Sequence, residues 1–258
     1  SGRAVQRNGD PVLMAGTVEL HLFAAGRCRH SAWFVEGGPL WRGMDLPAMI
    51  AVIRHRQLGT ILFDAGYGQP LMESQTLAAR IYRRLLPFRY EAADSIGTHL
   101  QTLGLTVKDV AMVILSHFHP DHIGGLRDVP AAPILHSRDG LEMLWGLTGR
   151  ARAEAAFFPE LLPEDLAARG EALEDRPRVT LGEEWRPFRE AFDIAGDGTL
   201  LAVALPGHAL GQYGLLCHTR RGWVFLVADA AWTRRNIADA ALPGWPVRHL
   251  VADARAFG

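Results

Sequence analysis

The sequence predicts an α/β fold with two strand-rich halves on either side of a polar, helix-rich middle segment. Short apolar runs rich in β-branched residues recur in both halves, and runs of this length are typical of buried strands. A hydrophobic content of 48% over 258 residues supplies enough apolar surface for the core of one domain. We therefore expect two sheets in a single domain, with the helices outside them.

The first half is predicted to form strands separated by glycine-rich turns at Gly37-Gly38 and Gly66-Tyr67-Gly68. Asp94 is predicted to cap a helix that runs to Leu103, with Gly104 as its C-terminal stop. The predicted strands of this half are residues 17–24, 48–54, 60–63, 110–115 and 133–136.

The second half repeats the strand-dense pattern after the polar middle segment. Apolar runs there are again short and bounded by Gly, Pro, Asp or polar residues, as expected for strands. The predicted strands are residues 185–194, 200–205, 213–218 and 223–227.

The composition and net charge of the chain indicate which kinds of binding partner to expect. A net charge of −1 and a pI near 6.8 give no general attraction for nucleic acid or for anionic lipid, so we expect a small-molecule substrate. Two cysteines make no disulfide framework, no apolar run reaches the length of a membrane span, and residues 1–11 lack the apolar core of a signal peptide. We expect a cytoplasmic protein, although a signal peptide removed earlier would leave no trace. The sequence leaves the oligomeric state open and is compatible with a dimer.

The most informative motif lies in residues 117–122, directly after an apolar run. In extended backbone, side chains two residues apart point the same way, so His117 and His119 can reach one metal ion together. After Pro120 the chain is predicted to turn into a helix, which directs Asp121 and His122 toward a second ion. Imidazole and carboxylate donors without thiolate suit zinc or a related divalent metal.

Two metal ions about 3.5–4 Å apart can share a bridging hydroxide and polarise a substrate oxygen, so this motif indicates a hydrolytic site. Two other interpretations are a polar surface loop and a structural zinc site. A structural zinc site is commonly closed by cysteines, and Cys28 and Cys217 both lie far from the motif in the sequence. The hydrolytic interpretation is therefore favoured.

Further candidate ligands occur where two other apolar runs end. Residues 200–205 run into Pro206-Gly207-His208, and residues 223–228 run into Asp229. Alone, His208 would be an ordinary loop histidine and Asp229 a helix N-cap. Together with the motif at 117–122, both are predicted to bind metal.

These residues resemble the metallo-β-lactamase-fold hydrolase superfamily, whose pattern is an early Asp, then H-x-H-x-D-H, a His, a bridging Asp and a final His. The matching positions cover most of the chain: Asp64, His117, His119, Asp121, His122, His208 and Asp229. The resemblance implies a four-layer αββα sandwich and two divalent metal ions, with Zn²⁺ favoured and Fe or Mn as alternatives.

The resemblance also implies a role for each matching residue. One metal would be held by His117, His119 and His208, and the other by Asp121 and His122. Asp229 would bridge the two ions, and Asp64 would anchor the loop that carries the ligands. Asp121 and Asp229 would be the catalytic carboxylates that move a proton to the leaving group.

Within the superfamily the chain is most similar to the N-acyl homoserine lactonases that quench bacterial quorum signals. The similarity rests on Ala25-Gly26-Arg27-Cys28 and on residues 229–244. The lactonases usually place a Tyr three residues after the bridging Asp, whereas this chain has Trp232, whose indole is a donor without an ionisable hydroxyl. The resemblance implies that a bridging hydroxide opens an ester or lactone carbonyl.

Alternative functions remain open at this stage. The same site could hydrolyse thioesters, phosphoesters or β-lactams, or it could hold iron and oxidise a thiol or persulfide. A non-catalytic binding protein with a partial site is a third possibility, because the last His of the family pattern has no clear counterpart.

The ends of the chain carry two further expectations. We expect residues 1–12 to be a flexible segment and residues 13–258 to be a single metallo-hydrolase domain that lacks its last strand. The final metal-binding His is expected beyond Gly258, with substitution by His249 as the alternative.

Aromatic residues in two arginine- or leucine-rich stretches are candidates for the substrate pocket. Walls of active sites usually come from loops and insertions on a rigid scaffold. We therefore predict that Phe157, Phe158 or Tyr82 lines an acyl-chain channel, and that Trp232 lies beside the substrate. The alternative for most of these residues is an amphipathic helix that packs on the core.

Overall fold

The computed structural model describes residues 5–7, 10–11, 16–244 and 252. The strands are β1 (Val5–Arg7), β2 (Asp10–Pro11), β3 (Glu19–Ser31), β4 (Gly43–His55), β5 (Gly59–Phe63), β6 (Phe88–Arg89), β7 (Val110–Ile114), β8 (Ile134–His136), β9 (Gly170–Ala172), β10 (Arg178–Leu181), β11 (Glu190–Asp193), β12 (Leu200–Ala204), β13 (Tyr213–Thr219) and β14 (Gly222–Leu226).

Helices connect these strands. They are α1 (Ala32–Glu36), α2 (Gln69–Glu73), α3 (Leu77–Leu85), α4 (Ile96–Thr102), α5 (Pro120–Ile123), α6 (Arg138–Gly146), α7 (Gly149–Glu154), α8 (Leu166–Arg169) and α9 (Arg234–Ala238). Among the helices that the structure describes, none combines the length and the hydropathy that crossing a bilayer requires.

Over the described residues, the strands form two seven-stranded sheets. The first has the order β14-β13-β12-β11-β10-β1-β2 and is antiparallel between all of its described neighbours. The second has the order β6-β3-β4-β5-β7-β8-β9, with parallel pairing from β5 to β9. The α/β fold with two strand-rich halves that the sequence predicts is therefore confirmed.

The sheets pack face to face through alternating side chains. In β12, Leu200 and Ala202 face a core shared with the second sheet, where they join Ile61 and Phe63 of β5. Leu201 and Val203 point the other way, into a smaller cluster with Trp185 and Trp223. This two-residue period is the pattern of a strand that is buried on both faces.

The outer face of the second sheet is covered by helices. Val52, Leu62 and Val113 of this face pack with Leu71 of α2 and Leu100 of α4, and all five side chains are buried. This cluster supports the edge of the sheet at which β5 and β7 end.

Several predicted boundaries shift. Ser95, not Asp94, caps α4, because its hydroxyl accepts a hydrogen bond from the Thr98 amide, whereas Asp94 closes the preceding 3₁₀ turn. The strand predicted at 185–194 was wrong over its first half, which contains a 3₁₀ turn ending at Trp185, and only Glu190–Asp193 forms β11. The sequence pattern also did not indicate the strands β1, β2, β6, β9 and β10.

Candidate metal centre

The centre begins where two parallel strands end side by side. Phe63 of β5 is paired with Ile114 of β7, so the residues after both strands emerge at one edge of the sheet. The Asp64 amide donates to the Ile114 carbonyl over 2.8 Å, and Asp64 adopts a left-handed backbone with φ of 63°. Asp is among the residues that tolerate this conformation. The turn directs the Asp64 carboxylate toward the loop that follows β7.

The Asp64 carboxylate is a buried acceptor for three hydrogen bonds. Its Oδ1 accepts from the Ser116 amide at 2.7 Å, and its Oδ2 accepts from the Ser116 hydroxyl at 2.8 Å and from His122 Nδ1 at 2.8 Å. One carboxylate therefore holds the start of the 117–122 motif through Ser116 and its end through His122.

Close backbone contact between two glycines fixes the same loop from the other side. A Cβ on Gly68 would lie 2.1 Å from the Gly124 carbonyl oxygen, so only glycine fits there. The Ala65 amide also donates to the His122 carbonyl over 2.8 Å. The Gly66-Tyr67-Gly68 turn predicted from the sequence thus packs directly on the loop that ends the motif.

The motif itself folds as its sequence predicts. His119 is the N-cap of α5, and Pro120 occupies the first turn, where its missing amide proton costs no hydrogen bond. Asp121 and His122 follow within that turn. The motif therefore passes from extended backbone at His119 to helical backbone at Asp121 and His122.

The remaining candidates come from the first sheet. Leu205-Pro206-Gly207 follows β12, and Gly207 has a φ of 139°, which leads the chain to His208. After β14, a 3₁₀ turn at Ala228–Ala230 presents Asp229. Both side chains meet the motif across the edge of the two sheets.

The structure brings six predicted ligands into two overlapping groups. In each group the donor atoms all lie within 4.8 Å of one another. Asp229 belongs to both groups: its Oδ2 is 3.3 Å from His208 Nε2, and its Oδ1 is 3.3 Å from His122 Nε2. The groups are His117, His119, His208 and Asp229, and then Asp121, His122 and Asp229.

The hydrogen bonds around the imidazoles leave donor atoms for a metal. His122 Nδ1 donates to Asp64, so its Nε2, which faces Asp229, is the nitrogen that could bind a metal. His117 Nδ1 lies 2.9 Å from the Ser116 hydroxyl, which in turn donates to Asp64. Within the described residues, His117 Nε2 and His122 Nε2 are buried without a hydrogen-bond partner. Because buried polar atoms are normally satisfied, these atoms fit a bound cation.

The histidines of the centre fall into two electrostatic environments, one that lowers the imidazole pKa and one that raises it. Burial lowers the pKa of His117 and of His119, and neighbouring imidazoles lower it further, so both present neutral lone pairs at neutral pH. Burial also lowers the pKa of His122, but Asp64, Asp121 and Asp229 outweigh it and raise that pKa well above its usual value. The carboxylates around His122 therefore stabilise positive charge, as a cation site requires.

The two candidate carboxylate ligands, Asp121 and Asp229, also differ in their pKa. Burial raises the pKa of Asp121 to about 6, against the opposing effect of His122. At Asp229 the imidazole of His122 outweighs burial and lowers the pKa. This chemistry of the donor set and its charge fit a pair of divalent ions, with Asp229 placed to contact both.

The predicted pocket residues lie in different environments. Phe157 and Phe158 are buried in the core, where Phe158 packs edge-on against Tyr82 at 5.3 Å. Trp232 lies beside the centre, with its ring 5.5 Å from that of His208 at an interplanar angle of 89°. Lining of an acyl channel stays a prediction for Phe157, Phe158 and Tyr82, and contact with substrate stays a prediction for Trp232. His249 lies outside the described residues.

Sequence reasoning missed Ser116, the residue that joins Asp64 to His117. Its position directly before the motif was a usable signal, because a hydroxyl there can orient the adjacent imidazole. It also missed Glu36, a buried carboxylate of α1, whose partners Thr233 and Arg235 lie almost 200 residues further along the chain.

Fold and site together define a two-sheet α/β protein with a His- and Asp-rich metal centre at one edge of the sheets. A sequence model described as the metallo-beta-lactamase superfamily matches residues 44–254. The chain therefore belongs to the metallo-beta-lactamase superfamily, as the sequence predicts.

Similar curated proteins include hydrolases and lactonases. A probable metallo-hydrolase of Mycobacterium tuberculosis is 30% identical over 186 residues, covering 69% of this chain and 55% of that protein. The N-acyl homoserine lactonase AttM of Azorhizobium caulinodans is 32% identical over 151 residues, covering 57% of this chain and 51% of that protein. The chain spans about half the length of these relatives.

Among solved structures, an N-acyl homoserine lactone hydrolase with N-hexanoyl-L-homoserine bound at its catalytic metal centre has a TM-score of 0.70. The two chains are 20% identical, and the match covers 94% of this chain and 85% of that one. At this identity the similarity establishes the fold. It agrees with the two-sheet architecture described above.

Proposed function

We propose that this protein is a dinuclear metal-dependent hydrolase that opens an ester or lactone carbonyl, with N-acyl homoserine lactones as its substrate class. The observation that supports the proposal is the sharing of Asp229 between two groups of donor atoms, each of which includes one buried histidine, His117 or His122. A single structural ion needs only one such group, whereas two adjacent ions suit hydrolysis. Zn²⁺ is the proposed metal because imidazole and carboxylate donors match it.

The candidate ligands divide between two positions. His117, His119 and His208 would hold one ion, Asp121 and His122 the other, and Asp229 would contact both. When bound, such a pair of ions polarises a carbonyl and lowers the pKa of water to about 7. The protein holds these ligands rigid through Asp64, whose three hydrogen bonds orient His122 directly and His117 through Ser116.

Asp121, one of the candidate ligands, is also the proposed proton carrier. Asp121 Oδ2 lies 3.7 Å from His122 Nε2, on the turn that follows His119. From this position its carboxylate can hold a proton and deliver it to the leaving alkoxide, which is general acid catalysis.

Lactones are the favoured substrates because the relatives named as N-acyl homoserine lactonases include a Bacillus cereus enzyme whose match, at 27% identity, spans 86% of this chain and 79% of that protein. The test is to incubate the zinc-loaded protein with short- and long-chain N-acyl homoserine lactones and to follow acid release. Ring opening that disappears in His117→Ala supports the proposal. No opening by a protein that holds two metal ions would contradict the lactone assignment.

One observation favours a second candidate. Trp232 occupies the place beside His208, and its indole has an N–H donor but no hydroxyl. A hydrolase of thioesters, phosphoesters or β-lactams on the same centre would not need the hydroxyl. The same zinc-loaded protein is therefore assayed against one substrate of each class, and the highest kcat/KM decides between the candidates.

A further inference from the structure

The segment of residues 232–244, which follows Asp229, is fastened to the end of α1. The Gly244 amide donates to the Trp33 carbonyl at 2.8 Å, and Asn236 Nδ2 donates to the Val35 carbonyl at 3.2 Å. The last carbonyls of a helix have no partner within it. The 232–244 segment supplies a partner for the Val35 carbonyl and a second one for the Trp33 carbonyl, which also accepts from the Gly37 amide, so two hydrogen bonds join α1 to this segment.

Glu36, the last residue of α1, adds a buried charge to this contact. Its side chain is 2% exposed and is paired with Arg42. It also accepts from Arg235 Nη1 at 3.3 Å and from the Thr233 hydroxyl at 3.2 Å. Burial raises the pKa of Glu36, but hydrogen bonds from Arg42 and Thr233 outweigh it and hold the carboxylate ionised.

The contacts of Glu36 connect it, through Thr233 and Asn236, to Trp232 beside the metal centre. The Thr233 hydroxyl that it binds also lies 3.0 Å from Asn236 Oδ1, and that oxygen accepts from the amides of Trp232 at 3.1 Å and Thr233 at 2.7 Å. The backbone of Trp232 is therefore fixed by Asn236, and its ring stands edge-on to His208. A short path runs from Glu36 through Thr233 and Asn236 to Trp232.

An ordinary surface ion pair would not hold the backbone near Trp232 in place. Exposed pairs contribute little to stability and leave both side chains mobile. Glu36 is buried, however, and it contacts two residues within one turn of the segment, Thr233 and Arg235. Removing it would release that turn, which begins four residues after Asp229.

We propose that Glu36 is a positioning residue that sets Trp232 against His208 and so shapes the substrate wall of the metal centre. This inference rests on the proposed function for its kinetic consequence. Its structural consequence, the placement of Trp232, is independent of the substrate. The two consequences are tested separately.

The structural test uses protein labelled with 5-fluorotryptophan, in which each of the seven tryptophans contributes a ¹⁹F signal. Trp232→Phe identifies the signal of Trp232. Glu36→Gln removes the charge with almost no change of volume, and it should shift or broaden the Trp232 signal in the metal-loaded protein. Glu36→Ala should do so more strongly, unless it fails to fold, in which case Glu36→Gln alone decides.

The kinetic test is a double-mutant cycle with an N-acyl homoserine lactone as substrate. A displacement of about 1 Å in a residue that positions the substrate can lower the rate up to about 100-fold. We expect Glu36→Gln to raise KM about tenfold, with kcat changed less than about threefold. Because Glu36 acts through Trp232, the Glu36→Gln/Trp232→Phe double variant should be no worse than the poorer single variant.

His55→Ala is the matched control. His55 is buried at the opposite end of β4–β5, where its Nε2 contacts Asp197 and Thr199, each at 3.1 Å. Its replacement should lower stability without changing KM or the Trp232 signal. An unmoved Trp232 signal in Glu36→Gln, or additive effects in the cycle, would overturn the proposal. If the wild type opens no lactone, the proposed substrate fails while the ¹⁹F result still decides the role of Glu36.

Discussion

His122 Nδ1 donates a hydrogen bond to Asp64 Oδ2 over 2.8 Å, although the two residues are 58 positions apart in the chain. The same carboxylate binds the amide and hydroxyl of Ser116. Two strand ends are thereby locked together, and the free nitrogen of His122 is turned toward Asp229. This relationship explains how an otherwise flexible loop presents metal-binding atoms in a fixed arrangement.

Asp64→Asn should weaken metal binding. Asparagine tolerates the left-handed backbone at this position, but an amide cannot accept from both Ser116 and His122 as the carboxylate does. Loss of such an outer hydrogen bond typically costs about 10- to 100-fold in metal affinity. Competition with a chelator of known zinc affinity measures the change. Unaltered affinity would show that His122 is oriented without Asp64.

Asp121→Asn should lower kcat far more than it changes KM. If Asp121 moves a proton to the leaving group, its loss removes an interaction made only in the transition state, and the expected decrease is about 100-fold or more. Zinc content is measured on the same samples, since Asp121 is also a candidate ligand. Turnover equal to the wild type at full metal content would remove Asp121 from the chemistry.

Phe157→Ala should destabilise the protein by about 3–5 kcal/mol, the usual cost of deleting a buried phenyl ring from a packed core. Phe157 is 1% exposed and packs between Phe118 and Trp145. Urea unfolding of the metal-loaded protein measures the loss. A decrease below about 1 kcal/mol would mean that the ring borders a space that solvent or substrate can fill.

Tyr82→Ala should raise KM for long-chain lactones more than for short-chain ones. Tyr82 is half-buried on α3 and stands edge-on to Phe158, and the nearby Asp121 carboxylate, after burial, raises the pKa of its hydroxyl. The Tyr82 hydroxyl therefore lies within the electrostatic influence of the candidate metal centre. Tyr82→Phe, which keeps the ring, serves as the control. An equal KM increase for both chain lengths would contradict an acyl channel here.

Asp197 should stabilise the fold only above acidic pH. Burial raises its pKa, but hydrogen bonds from Thr199 and His55 outweigh burial and lower it. A lowered folded-state pKa gives stability that is present above the unfolded value of about 3.9 and is lost as the pH falls through the folded value. The difference in unfolding free energy between wild type and Asp197→Asn should therefore shrink below about pH 4. A difference that stays constant from pH 7 to pH 3 would contradict this linkage.

The sequence predicted the candidate ligands because each follows a recognisable apolar strand, and strand ends gather at one edge of a sheet. It failed where structure depends on distant partners. Nothing local marks Glu36, because Thr233 and Arg235 reach it only after the chain has crossed both sheets. The error at Trp185 has a similar cause: an apolar ring at a turn looks like a strand residue until its packing against Trp223 is seen.

The central claim is a two-ion centre in which Asp229 serves both positions. The most direct measurement is the number of zinc ions per chain, determined by elemental mass spectrometry after dialysis against metal-free buffer. We predict two zinc ions for the wild type, one for His122→Ala, and fewer than one for Asp229→Ala. A wild type that holds a single ion, or a His122→Ala variant that still holds two, would contradict the account.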